Sequence, residues 1–279
     1  MLFNINFVSM KRLVLFLTFC SLGFAKPSVT TTLAPHAYAL EAIVKDRVDV
    51  QVLIPENANP HIHESKPQDI KMLSQSTLWF CIGESIEKKL GHNVNAKKID
   101  LNQGLETLSQ CCHHDHHHHH AHDHNFDTHT WLSPKNYRQQ AKQIFEALCN
   151  AFPEHKSFFE TNYQALDKEL EGLVSKVDSA KNKNSTLIVA HAAYAYLCKD
   201  LRIEQVSLEH DGKEANLRHI QKIYTRFQNK APQKIFAETQ HSDAGAKRLS
   251  DLLKARVVYV NPYQRNYPQS IHEIIDSLP

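Results

Sequence analysis

The sequence predicts an α/β fold of two Rossmann-like lobes with mostly parallel sheets, joined by a long rigid helix. Three observations predict it. Short β-rich apolar runs alternate with helical patterns through most of the chain, as in βαβ units. One helical pattern, from Pro153 to about Lys181, separates two such alternating halves. Beyond residue 25 no apolar run reaches the ~20 residues of a membrane-spanning helix, so the apolar runs belong to buried sheets and helix faces.

The N-terminus reads as an address. Residues 1–25 carry no acidic residue, Lys11 and Arg12 precede the apolar run Leu13-Val14-Leu15-Phe16-Leu17, and the stretch closes on Gly23-Phe24-Ala25. This is the pattern of a secretory signal peptide, with Lys26 as the mature start and Met10 as an alternative first residue. Cys20 raises the alternative of a lipid anchor, but Phe19 stands where a lipoprotein peptidase needs a small residue. A soluble periplasmic protein is therefore expected.

The first lobe is expected over 26–152. It contains strands at Val48–Ile54 and Thr77–Ile82 and helices at Pro67–Ser74 and Ile86–Leu90. Ser133-Pro134 opens a further helix, because Ser can accept from free backbone N–H groups and Pro suits the first turn. The connecting helix, 153–182, carries the stripe Phe158, Phe159, Tyr163, Leu166, Leu170, Leu173 and Val177 at helical period. The second lobe, 183–279, has strand candidates at Thr186–Ala190, Lys234–Ala237 and Arg256–Val260, with helices at Leu217–Gln228 and Ala244–Leu253. Ligands in such folds sit at the carboxyl ends of strands, between units.

Composition excludes several functions. The formal charge of +2 falls to zero once Lys11 and Arg12 are removed, which argues against binding nucleic acid or a membrane surface. No Gly-rich phosphate loop is present. Five cysteines remain after cleavage, so at least one thiol is unpaired. Cys81, Cys149 and Cys198 read as buried small hydrophobes, whereas Cys111 and Cys112 border a histidine tract.

Nine of the twenty histidines lie in residues 113–124, as His113, His114, His116, His117, His118, His119, His120, His122 and His124, with Asp115 and Asp123 among them. The tract has no apolar face and is expected to be a surface loop. Imidazole and carboxylate suit borderline divalent ions, so it is expected to bind several ions with modest affinity. A selective site needs fixed ligands. His61 follows the strand ending at Ile54, His191 follows the strand ending at Ala190, and His129 precedes the helix at Ser133-Pro134. Their chain positions alone do not distinguish ligands from ordinary histidines.

Several segments carry a resemblance. They are Thr30-Thr31-Thr32-Leu33-Ala34-Pro35, Asn59-Pro60-His61-Ile62-His63-Glu64-Ser65-Lys66-Pro67-Gln68-Asp69, Asp127-Thr128-His129-Thr130-Trp131-Leu132-Ser133-Pro134, His191-Ala192-Ala193-Tyr194, and Glu238-Thr239-Gln240. In this order they resemble the zinc-binding members of the cluster A-I solute-binding proteins of metal ABC importers. The resemblance covers nearly the whole mature chain. It implies two lobes and a long helix, His61, His129 and His191 as ligands of Zn²⁺, an inner-membrane ABC permease as partner, and a monomer with no enzymatic activity. A His-rich insertion before the second ligand is also typical of this branch. Manganese-binding relatives carry a carboxylate at the position of His191, as the harder ion prefers.

There are departures. Thr128 replaces a proline, His63 stands where relatives carry an aromatic and is expected to line the pocket, and Asn261-Pro262 stands where an Asp-Pro pair is usual. The fourth ligand is then Asn261, water or a nearby carboxylate. Alternatives to zinc uptake are manganese or broader divalent-metal capture by the same class, and a metal buffer or surface adhesin. A zinc-dependent hydrolase using bound water is a further alternative, for which Glu64 is the nearest general base in sequence.

Overall fold

The structure, a computed structural model, describes residues 26–91, 94–109, 126–181, 185–209, 215–230 and 234–278. The expected signal peptide, Cys20, Cys111, Cys112 and the tract 113–124 lie outside these residues.

The first sheet comprises β1 (Ser28–Leu33), β2 (Asp49–Ile54), β3 (Leu78–Cys81) and β4 (Lys97–Asp100), in the order β2-β1-β3-β4. The second comprises β5 (Thr186–Val189), β6 (Glu204–Ser207), β7 (Lys234–Glu238) and β8 (Arg256–Val260), in the order β6-β5-β7-β8. Every pairing is parallel, so each sheet repeats one topology. Helices α1 (Ala34–Val44), α2 (Pro67–Gln75), α3 (Ser85–Leu90) and α4 (Pro134–Ala151) belong to the first half. The 24-residue α5 (Lys156–Ser179) joins the halves, and α6 (Ala195–Leu201), α7 (Leu217–Phe227), α8 (Ala244–Leu253) and α9 (Tyr267–Asp276) complete the second.

Local chemistry explains the helix starts. Ser133 caps α4 by accepting from Asn136 N at 3.2 Å, with Pro134 in the first turn. Asn216 and Asn266 cap α7 and α9 in the same way. The connecting helix is shorter than its sequence pattern because Pro153–His155 forms a separate 3-10 turn ahead of it.

Within α5, Phe159, Leu166, Leu170, Leu173 and Val177 are buried, while Phe158 and Tyr163 pack at the margin of the core. The helix lies against α1, α4, α6 and α9. One apolar core consequently runs from Val29, Trp79 and Phe80 of the first sheet through α5 to Val189, Phe236 and Ile271. A smaller cluster fills the opposite face of the second sheet under α7 and α8. Cys81 and Cys198 are buried and Cys149 partly so, all as free thiols, and burial pushes the Cys198 thiol up to about 12.

A buried polar chain crosses the first lobe beneath the sheet ends. His36 Nε2 lies 3.1 Å from Gln140 Oε1, Gln140 Nε2 donates to Thr130 Oγ1 at 2.9 Å, Thr130 donates to Asn102 Oδ1 at 2.8 Å, and Asn102 Nδ2 donates to the Ile82 carbonyl at 2.6 Å. Burial lowers His36 to about 4, against the opposing pull of its bond to Gln140. The folded state therefore holds a neutral ring that the unfolded chain protonates below about 6.5. Stability from this group is complete above pH 6.5 and is lost as pH falls towards 4, by about 3 kcal/mol. Urea unfolding of metal-free protein at pH 7.5 and 4.5 is expected to show a smaller acid loss in His36→Phe than in the parent. Equal losses would assign the acid sensitivity to other groups.

Candidate metal centre

Each polar group of the site follows the carboxyl end of a strand or enters from the loop before α4. After β2 the chain turns through a 3-10 segment, Pro60–Ile62, whose start is held by Asn59 Oδ1 accepting from His61 N at 2.9 Å. This presents His61 from an exposed turn with its side chain 32% exposed. His129 is buried immediately before the 3-10 turn Thr130–Leu132. His191 follows β5 and is also buried.

The three rings converge. His191 Nε2 lies 3.2 Å from His61 Nε2 and 3.2 Å from His129 Nε2. Zn–N bonds of about 2.0–2.1 Å at tetrahedral angles put ligand nitrogens about 3.3 Å apart. The observed spacings match a shared divalent ion, whose charge the three lone pairs would face together.

Behind each ring stands a carboxylate. Asp127 Oδ1 lies 2.7 Å from His129 Nδ1 and also accepts from His129 N at 3.0 Å. Glu209 Oε2 lies 2.6 Å from His191 Nδ1. Glu84 Oε2 is 3.6 Å from His61 Nδ1, and its other oxygen accepts from Thr128 Oγ1 at 3.0 Å. A carboxylate at Nδ1 fixes the tautomer that leaves Nε2 free to donate its lone pair, and raises ligand basicity.

The electrostatics favour this arrangement. Burial lowers His191 to about 4, outweighing the opposing bond to Glu209, so the ring is neutral at pH 7. Burial alone would raise Glu209, but the hydrogen bond from His191 and the nearby rings of His191 and His241 hold it at about 2. Burial likewise opposes the shifts at His61 and Glu84. Their mutual electrostatic attraction across 3.6 Å prevails, raising His61 and lowering Glu84.

His241, three residues beyond β7, stacks on His191 with ring centroids 4.0 Å apart and planes at 16°. His61, His191 and His241 each offer a ligand atom within 4.8 Å of the others. Asn261, after β8, is differently engaged: its Oδ1 accepts from Gln240 Nε2 at 2.7 Å and from Tyr263 N at 2.9 Å. Those two bonds use both lone pairs of the amide oxygen. His63 faces Asp69, with Nε2 3.7 Å from Oδ2. Glu238 is fully buried near the hydroxyls of Tyr194 and Tyr263, and burial raises it to about 8.

Sequence reasoning named the three converging histidines but not Glu84, Glu209 or His241. Their available signal was position after a strand end. It was weak for Glu209, because Glu204-Gln205-Val206-Ser207 has no apolar run to mark β6. His241 directly follows the quoted Glu238-Thr239-Gln240 segment and would have been found by extending it one residue.

Comparison with known proteins gives a consistent result. The family model described as periplasmic zinc-uptake complex component A matches residues 29–278. A putative metal-binding protein of Chlamydia trachomatis is 32% identical over 70% of this chain and 73% of its own length. The high-affinity zinc uptake system protein ZnuA of Bacillus subtilis is 31% identical over 80% of this chain and 76% of its own length. A crystal structure of ZnuA superposes with a TM-score of 0.82 at 27% identity, covering 90% of this chain and 97% of that one. The chain belongs to the zinc-uptake complex component A family of periplasmic metal-binding proteins.

Proposed function

We propose that this protein captures Zn²⁺ outside the inner membrane with His61, His129 and His191 and delivers it to an ABC permease. The observation that carries the reading is the convergence of three imidazole nitrogens, each backed by a carboxylate. Three nitrogen donors favour zinc over manganese, which prefers oxygen. Related zinc-uptake proteins support the same ion.

In this reading residues 1–25 direct export, 26–152 and 183–279 form the lobes, and 153–182 connects them. The protein acts as a periplasmic monomer. The tract 113–124 is a second, weaker metal-binding region that gathers ions. Water completes the first shell around an ion newly held by the three histidines.

The test is competition between the protein and a chelator for Zn²⁺, with and without residues 113–124, in the presence of excess Mn²⁺. One tight zinc ion per chain is expected in both forms, and manganese does not displace it. Loss of all tight binding on deletion would move the site to the tract. Displacement by manganese would change the assigned cargo.

A further inference from the structure

Asn261 carries no charge, and its amide oxygen is already engaged twice, so it offers no free donor to the fourth position of the site. His241 presents a different donor to the same place. Its side chain is 7% exposed, and Nε2 has no hydrogen-bond partner among the described residues. An unpartnered buried nitrogen is disfavoured by about 1–3 kcal/mol, so its persistence calls for a ligand.

The other edge of the ring resembles that of a ligand imidazole. His241 Nδ1 faces Glu209 Oε1 at 3.7 Å, while the second oxygen of the same carboxylate holds His191 Nδ1 at 2.6 Å. One carboxylate thus addresses the Nδ1 edges of both rings. His241 also offers a ligand atom within 4.8 Å of those of His61 and His191.

We propose that His241 is the fourth protein ligand of the captured ion, replacing a water after His61, His129 and His191 have bound it. This rests on the zinc-capture reading above. The stack explains why the ring enters last. Two rings 4.0 Å apart and 16° from parallel cannot both aim in-plane lone pairs at an ion about 2 Å from each. His241 must tilt out of the stack, and the ion's attraction drives that tilt. The loaded centre then has four nitrogens, two from each lobe. A full protein shell characterises zinc that is held rather than used catalytically, because no water remains to be activated.

The experiment uses the full chain loaded with half an equivalent of Co²⁺, so that the tightest site fills first, and follows its visible spectrum on adding thiocyanate. His241→Phe keeps an aromatic ring against His191 but has no lone pair. The parent spectrum is expected to be insensitive to thiocyanate. His241→Phe is expected to bind one ion at least roughly tenfold more weakly and to show a thiocyanate-dependent spectrum. The proposal is overturned if the variant matches the parent in affinity and spectrum, or if thiocyanate shifts the two spectra equally. His61→Ala serves as a separate control: unchanged tight zinc binding there would remove the capture site itself, whatever the behaviour of His241.

Discussion

Changing His191 to alanine is expected to weaken zinc binding roughly 10²–10³-fold, since the ~10–16 kcal/mol of a structural zinc site is shared among about four ligands. His191 is the residue to choose because its Nε2 is the common neighbour of His61 Nε2 and His129 Nε2. Its removal leaves the other two imidazoles with no ligand between them. It also frees Glu209 Oε2, leaving that carboxylate facing His241 at 3.7 Å. Asp127→Asn should behave differently. The Nε2 donor of His129 remains, but the carboxylate that orients and polarises its ring is gone, and a loss of about 10–100-fold is expected. Chelator competition at fixed pH measures both. Equal, small losses would mean that the three rings do not share an ion.

The second large effect is structural. Trp131→Ala is expected to destabilise the metal-free protein by about 3–5 kcal/mol, the usual range for emptying a fully buried aromatic site. Trp131 is enclosed between the halves of the molecule. Its Nε1 donates to the Pro262 carbonyl at 3.1 Å, and its ring packs against Tyr263 and His129 at centroid distances of 5.6 Å and 5.4 Å. Tyr267 Oη donates to the Trp131 carbonyl at 2.9 Å, fastening α9 to the same turn. For a protein of this size the loss lowers the melting temperature by about 6–20 °C. Trp131→Phe, which loses the indole hydrogen bond and part of the ring but still fills much of the space, should lose less. A loss below about 1 kcal/mol for the alanine variant would show that the cavity collapses without penalty.

Much of this architecture is legible in residue order. Apolar runs alternating with helical periodicity mark β2, β3, β5, β7 and β8, and the inner strands β3, β5 and β7 are the most continuously buried, because strands covered on both faces need continuous apolar side chains. The edge strands β4 and β6 escape notice: Lys97-Lys98-Ile99-Asp100 and Glu204-Gln205-Val206-Ser207 are only half covered and keep polar side chains. Helix α9 is likewise visible only in three dimensions, where Tyr267 stacks on Tyr137 at 3.5 Å. The histidines at the site were reachable through the resemblance of their segments. Asp127 lies within the same quoted segment as His129, but Glu84 and Glu209 do not stand out, since they approach from separate strand ends and no local spacing joins them to their histidines.

The carboxylates behind the rings have a consequence for the lifetime of the protein. Glu84, Asp127 and Glu209 gather largely buried negative charge around one small chamber. A divalent cation offsets most of that mutual repulsion. Binding only the folded form, it also draws the folding equilibrium towards the native state by mass action. Metal starvation is therefore expected to weaken the molecule itself, with unloaded copies opening more often and meeting proteases sooner, so that the number of surviving carriers follows the supply of the ion they carry.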